Sequence, residues 1–258
     1  MQYSSFVSEI IKISKNAGEI ILKFYNDDIL YEKKSDNSPV TLADKEADLY
    51  IVNELQKLNP DIPVVSEEGS NFFKKTSKNY WLVDPLDGTK SFIRRQGDFT
   101  VNIGLIKNNR TIGGVIYAPV TRDTYYVGED GSAYHENAEG KTVKMQVSGN
   151  KTKGLTVIAS HSHMNVATDE YIKKLDAKEI ISAASSLKFC VVAKGDADIY
   201  PRFNPTMQWD TAAGQAILQA AGGSVVDESG AEFSYIMPDM SVTENRFLNG
   251  YFVAKGWK

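Results

Sequence analysis

Near the start of the chain Phe6, Ile10, Ile13, Ala17, Ile20 or Ile21 and Phe24 recur every three or four residues, the spacing of one apolar face of a long helix. The opposite face mixes Lys12, Lys15 and Lys23 with Glu9 and Glu19. A membrane-surface helix would carry a mostly cationic face there, so this stripe is expected to pack on the protein's own sheet. Residues 26–39 are polar and read as a loop. Ala47, Ile51, Leu55 and Leu58 mark a second helix, ended by Asn59 and Pro60. Short strands are predicted at 63–65 and 80–83. From 99 to 147 apolar runs at 100–106, 112–118, 124–127 and 143–147 are broken by turn residues, which predicts a mostly antiparallel sheet. The stretch 128–142, with three glycines and little apolar content, reads as an exposed hairpin region. Beyond 149–154, strand and helix signals alternate through 155–160, 166–175, 186–194, 199–200, 209–221 and 224–226. This alternation predicts an α/β half at 151–258 after an α+β half at 1–150.

Charge and composition narrow the partners. The chain has 29 Lys and Arg against 33 Asp and Glu, a net charge of −4, with no cationic run able to neutralise a nucleic-acid backbone. A polymeric nucleic acid is therefore not an expected partner. No segment approaches the roughly 20 apolar residues of a membrane span. Residues 1–25 are charged throughout, unlike a signal peptide, so the expected compartment is the cytoplasm, with peripheral membrane association left open. Cys190 is the only cysteine. No intrachain disulfide is possible, and its apolar flanks predict a buried thiol rather than a nucleophile.

The candidate chemistry lies in three acidic clusters. In Tyr80-Trp81-Leu82-Val83-Asp84-Pro85-Leu86-Asp87-Gly88-Thr89-Lys90 an apolar strand runs directly into two carboxylates three residues apart. Pro85 restricts the backbone and Gly88 permits a tight turn, so both acids and the Leu86 carbonyl can face one point, an all-oxygen set suited to a hard divalent cation. A helix beginning near Thr89 would add N–H groups beside it. Asp-Pro and Asp-Gly are also ordinary turn formers, and alone the stretch would read as structural. Glu67 and Glu68 at the end of the 63–65 strand, and Asp210 at the start of an apolar helix, change that balance. Asp210 by itself would read as a helix cap.

Taken together, these clusters resemble the inositol monophosphatase superfamily. Within it, Asp87-Gly88-Thr89-Lys90, Ser185-Ser186-Leu187-Lys188-Phe189-Cys190 and Tyr200-Pro201-Arg202-Phe203-Asn204-Pro205-Thr206 resemble the 3′(2′),5′-bisphosphate nucleotidases of the CysQ type. Val40-Thr41-Leu42-Ala43-Asp44 is also in place. The resemblance implies an α+β fold, a layered αβαβα sandwich. It implies two or more Mg²⁺ ions, the first held by Glu67, Asp84 and the Leu86 carbonyl, the second by Asp84, Asp87 and Asp210. A water activated by the metals would be oriented by Thr89 and Asp44, with Glu67 counted among the catalytic residues. The implied reaction is removal of the 3′ or 2′ phosphate of an adenosine bisphosphate, with sensitivity to Li⁺. The phosphorylated nucleotide would lie across Glu67, Leu86, Asp87, Gly88, Thr89 and Asp210.

The phosphate that is not cleaved needs its own cations, and Lys188, Arg202 and the Ser186 hydroxyl fall in the matching segments; Lys188 and Arg202 also read as solvated surface charges. The chain departs from the branch at Ala184, where Gly is usual, and at His161 in Ser160-His161-Ser162-His163, where Arg is usual. His161 and His163 have no third nitrogen or sulfur ligand and read as loop or supporting residues. The alternatives are an inositol or sugar phosphatase of the same superfamily, which usually has another Thr where this chain has Lys90, and a non-catalytic binding relative.

Overall fold

A computed structural model describes residues 3–25, 31–33, 39–69, 77–160, 165–237 and 247–258; His161 and His163 lie outside them. A 3-10 turn, Tyr3–Phe6, leads into α1 (Val7–Tyr25), whose buried residues Val7, Ile10, Ile13, Ala17 and Ile21 follow the predicted stripe. Part of the polar stretch expected as a loop is instead a small antiparallel pair, β1 (Tyr31–Lys33) on β2 (Pro39–Thr41). Three-residue strands held by one ladder leave no alternation long enough to see in the sequence. Helix α2 (Leu42–Leu58) begins one turn earlier than its apolar pattern. Its first turn is set by the Thr41 cap rather than by packing.

The first sheet runs in the order β3 (Val64–Ser66), β4 (Asn79–Asp87), β5 (Thr100–Lys107), β6 (Arg110–Ala118), β7 (Asp123–Val127), β8 (Ala133–Glu136) and β9 (Thr142–Lys144). Only the β3–β4 pair is parallel. The short helix α3 (Thr89–Ile93) follows β4. Strand β8 lies within the region expected to be an exposed hairpin, and Ala133 is its buried anchor.

The second sheet has the order β11-β10-β12-β14-β13: β10 (Leu155–Ala159), β11 (Ala177–Ser182), β12 (Ile199–Arg202), β13 (Ser224–Asp227) and β14 (Phe252–Lys255). Helices α4 (Val166–Lys173), α5 (Leu187–Ala193) and α6 (Gln208–Ala220) lie between these strands in sequence. Strand β11 gave no sequence signal because it is a largely exposed edge strand carrying Lys178 and Glu179.

Adjacent residues assign the layers. A side chain on Gly113 would run into Tyr3, whereas one on Gly114 would meet the backbone of α6 at Ala213. The leading segment with α1 and α2 therefore covers one face of the first sheet and α6 the other. In β10, Leu155, Val157 and Ala159 pack toward Ile172 of α4, while Ile158 joins the main core. Helices α5 and α6 are thus enclosed between two sheets, and the whole is the layered αβαβα sandwich. Among the described residues no helix is long and apolar enough to cross a membrane.

Candidate active site

Strand β4 is buried from Tyr80 to Leu86, so its acids are delivered to the end of a rigid strand. Asp84 stands opposite Asn102 of β5, and an irregularity in the ladder then brings Asp87 opposite Thr100. Pro85 has no N–H for the ladder. The Leu86 N–H turns instead to Asp84 Oδ1 at 3.0 Å. Gly88 follows with φ of 102° as the N-cap of α3. A Cβ there would lie 2.7 Å from Ser185 Oγ and 2.9 Å from the Asp98 carbonyl, so both conformation and space require glycine.

Three further elements bring acids to the same place. Glu67 follows β3, its N–H bonded to the Val83 carbonyl at 3.1 Å. Asp44 is the third residue of α2 and closes a capping box: its Oδ2 accepts from the Thr41 N–H at 2.8 Å and hydroxyl at 2.6 Å. Its Oδ1 accepts from Thr89 Oγ1 at 3.1 Å. Asp210 holds the third position of α6 rather than the cap itself, and accepts from the Met207 N–H at 2.8 Å.

Glu67, Asp84 and Asp210 each present a carboxylate oxygen within 4.8 Å of the other two. Burial pushes the Asp84 carboxyl well above the usual carboxylate range, and the charges of Glu67, Asp87, Asp210 and Asp44 push it further. Asp210 is raised by burial and then by Asp87 and Glu67, against the Met207 N–H and Arg202. Crowded carboxylates with so little compensation in the protein are a donor set for a hard cation, all oxygen and net negative. Asp87 stands beside the trio: its Oδ2 accepts from the Ser186 N–H at 2.7 Å and from Asn102 Nδ2 at 3.2 Å.

Glu67, Asp87 and Asp210 line a cleft of about 870 Å³ together with Gly88, Thr89, Ser186, Lys188 and Arg202, and Asp84 is buried beside it. Lys188 is not a solvated surface charge. It is 3% exposed, lies over the Tyr200 ring at 5.3 Å, and donates to the carbonyls of Ser185 at 2.7 Å and Ala183 at 3.2 Å. Burial pushes its pKa down to about 8; Arg202 acts in the same direction, while Asp87 and Asp210 oppose it. Ser186 is 2% exposed, and its hydroxyl contacts Asn102 Oδ1 and Thr100 Oγ1, both at 2.8 Å. Arg202 donates through Nη2 to the Pro205 carbonyl at 3.4 Å, and its buried Nε has no hydrogen-bond partner among the described residues. Cys190 is buried, and burial pushes its thiol pKa up, so it is unsuited to act as a nucleophile. Sequence reasoning missed Thr100 and Asn102; the signal was that β5 pairs with the strand carrying both acids.

A sequence profile described as the Inositol monophosphatase family matches residues 2–258. The chain belongs to the inositol monophosphatase family. It is 43% identical to the 3′(2′),5′-bisphosphate nucleotidase CysQ of Salmonella typhimurium over 89% of this chain and 93% of the relative. Among solved structures, CysQ from Bacteroides thetaiotaomicron, described as a bacterial member of the family, is similar with a TM-score of 0.79. That match has 36% identity and covers 98% of this chain and 97% of the other. A Thermotoga maritima IMPase is similar with a TM-score of 0.78 and 26% identity, covering 98% of this chain and 92% of its own. Family membership and the sandwich agree with the resemblance drawn from the three acidic clusters.

Proposed function

We propose that this chain is a magnesium-dependent 3′(2′),5′-bisphosphate nucleotidase, converting adenosine 3′,5′-bisphosphate and water to AMP and inorganic phosphate. The observation that carries the reading is the convergence of Glu67, Asp84 and Asp210 beside a cleft that Glu67, Asp210 and Arg202 line together. The 43% identity to a nucleotidase supports the choice of a bisphosphate substrate.

Glu67, Asp84, Asp87, Asp210 and the Leu86 carbonyl would hold two Mg²⁺ ions. Bound there, the ions would supply Lewis acidity toward the phosphate and the leaving oxygen. The chain's own part is proton handling and orientation. The Thr89 hydroxyl has one proton and two acceptors in reach, Asp44 Oδ1 at 3.1 Å and the Leu86 carbonyl at 3.2 Å. A carboxylate is the stronger acceptor, so the proton goes to Asp44 and the Leu86 oxygen keeps lone pairs for a cation. The Thr89 oxygen can then accept from the attacking water, passing a proton toward Asp44 as the water oxygen bonds to phosphorus and the bond to the 3′ oxygen breaks, that oxygen taking its proton from solvent. Asp44 is held for this by the Thr41 contacts on its other oxygen. Arg202 would meet the phosphate that stays, for which its planar cation is well suited.

Phosphate release from adenosine 3′,5′-bisphosphate, inositol phosphates and fructose 1,6-bisphosphate tests the reading. The expected kcat/KM is highest for the nucleotide; a higher value for an inositol phosphate overturns the substrate, and no release from any of them overturns the enzyme.

A further inference from the structure

Behind Asp87 lies a polar group that no part of the reaction described above uses. Thr100 and Asn102 are 0% and 1% exposed, and Ser186 is 2% exposed. Thr100 and Asn102 are on β5, opposite Asp87 and Asp84, whereas Ser186 caps α5, which packs against the second sheet. Thr100 Oγ1 and Ser186 Oγ are 2.8 Å apart, and both approach Asn102 Oδ1, at 3.1 and 2.8 Å. Two hydroxyls on one side of the amide and a carboxylate on the other determine its orientation. The oxygen faces the hydroxyls, and Nδ2 donates to Asp87 Oδ2; the flipped amide would set an oxygen against the carboxylate. The Ser186 N–H adds a second donor to that oxygen. It sits after Ser185, a non-glycine residue at φ of 51°, whose carbonyl is held by Lys188.

We infer that Asn102 is a positioning residue: with Thr100 and Ser186 it forms a buried latch that holds Asp87 Oδ2 and thereby aims the carboxylate into the cleft. The opposite face of β5 is apolar, with Val101 and Ile103 fully buried, so the polar residues are confined to the face that carries Asn102. Buried polar groups are costly unless bonded, and here each bond leads to one acid. The latch also joins the first sheet to the start of α5 at the acid itself, so the Ser186 hydroxyl serves the carboxylate rather than the substrate. The inference rests on the reading above that Asp87 is a cation ligand.

The test is Mn²⁺ binding followed by electron paramagnetic resonance, alongside kcat and KM with adenosine 3′,5′-bisphosphate. Supporting hydrogen bonds to a ligand are typically worth 10–100-fold in metal affinity or activity. Asn102→Ala is expected to weaken Mn²⁺ binding by about tenfold and to lower kcat by a factor on the order of 10 to 10², with KM within about twofold. Thr100→Val, which keeps the shape and removes only the hydroxyl, should shift both in the same direction by less, and Thr100→Ser should restore them. A folded Asn102→Ala that binds Mn²⁺ like the wild type overturns the latch; if that variant does not fold, an unchanged Thr100→Val does so. Wild type that binds Mn²⁺ yet cleaves no nucleotide, with these affinity losses in the variants, upholds the latch and overturns the nucleotidase reading. Wild type that does not bind Mn²⁺ overturns both.

Discussion

The two walls of the cleft are built on different principles. The acidic wall has a local centre: Asp84, Leu86, Asp87 and Thr89 lie within six consecutive residues, one strand end and one glycine turn present them together, and Glu67 and Asp210 join them from other elements. The cationic wall is assembled at long range from α5 and β12. Its most suggestive lysine is spent inside the protein, with Lys188 holding the carbonyls of Ala183 and Ser185. Charge at a family position therefore says where a residue lies in the fold, but not whether its charge is available to a ligand.

The strongest way to break this contrast is at the acidic wall. Asp84→Asn should lower kcat/KM by a factor on the order of 10³ or more, because it removes a carboxylate central to the proposed cation site. In EDTA the same variant should melt at a higher temperature than the wild type, since burial and four neighbouring acids already disfavour the Asp84 charge. A lower melting temperature in EDTA would show that the Asp84 charge is compensated by the protein itself.

A smaller loss is expected one step from the cation ligands. Asp44→Asn and Thr89→Ala should each reduce kcat by about 10², and the double variant should be little worse than either. Their stabilities should separate: Asp44 also closes the capping box of α2, so its replacement should cost about 1 kcal/mol in urea melts while Thr89→Ala costs less. Multiplicative losses in kcat would dissolve the proposed pair.

At the cationic wall, Arg202→Ala should raise KM for adenosine 3′,5′-bisphosphate by about tenfold and leave a monophosphate nearly unchanged, because only the bisphosphate has that contact to lose. Lys188→Met should act through the Ser185 turn and change both substrates alike. A bisphosphate-selective loss in Lys188→Met would return that lysine to the substrate.

A last effect is on stability and leaves turnover aside. Lys188 has a folded pKa of about 8 against an ordinary 10.5. Between those values the unfolded chain binds more protons than the folded one, so stability rises with pH through this window; below about pH 8 both states are protonated and the dependence vanishes. The full rise is roughly 3 kcal/mol. Wild type should therefore gain on Lys188→Met between pH 8 and 10.5 in denaturant melts, and parallel curves would count against burial as the cause.

Much of the architecture was legible because it follows from local pattern. The apolar stripe of α1 and the alternating runs of β5, β6 and β7 follow side-chain periodicity set by backbone geometry. Strands β1, β2 and β11 were not, since β1 and β2 are only three residues each and β11 is a largely exposed edge strand. Within the site, the acids at 84 and 87 announced themselves by spacing, whereas Asn102 looked like any polar residue in a strand until the ladder set it opposite Asp84.

By itself the sequence determined the acidic clusters, the strand-to-turn geometry that presents Asp84 and Asp87, and the family. Tertiary structure alone decided that Glu67, Asp84 and Asp210 meet within 4.8 Å, that Lys188 is enclosed, and that Ser186 turns its hydroxyl to Asn102. The reason is physical. Hydrophobic periodicity and turn propensity are properties of neighbouring residues, but desolvation, like-charge crowding and hydrogen-bond partnership depend on which distant segments close over a group.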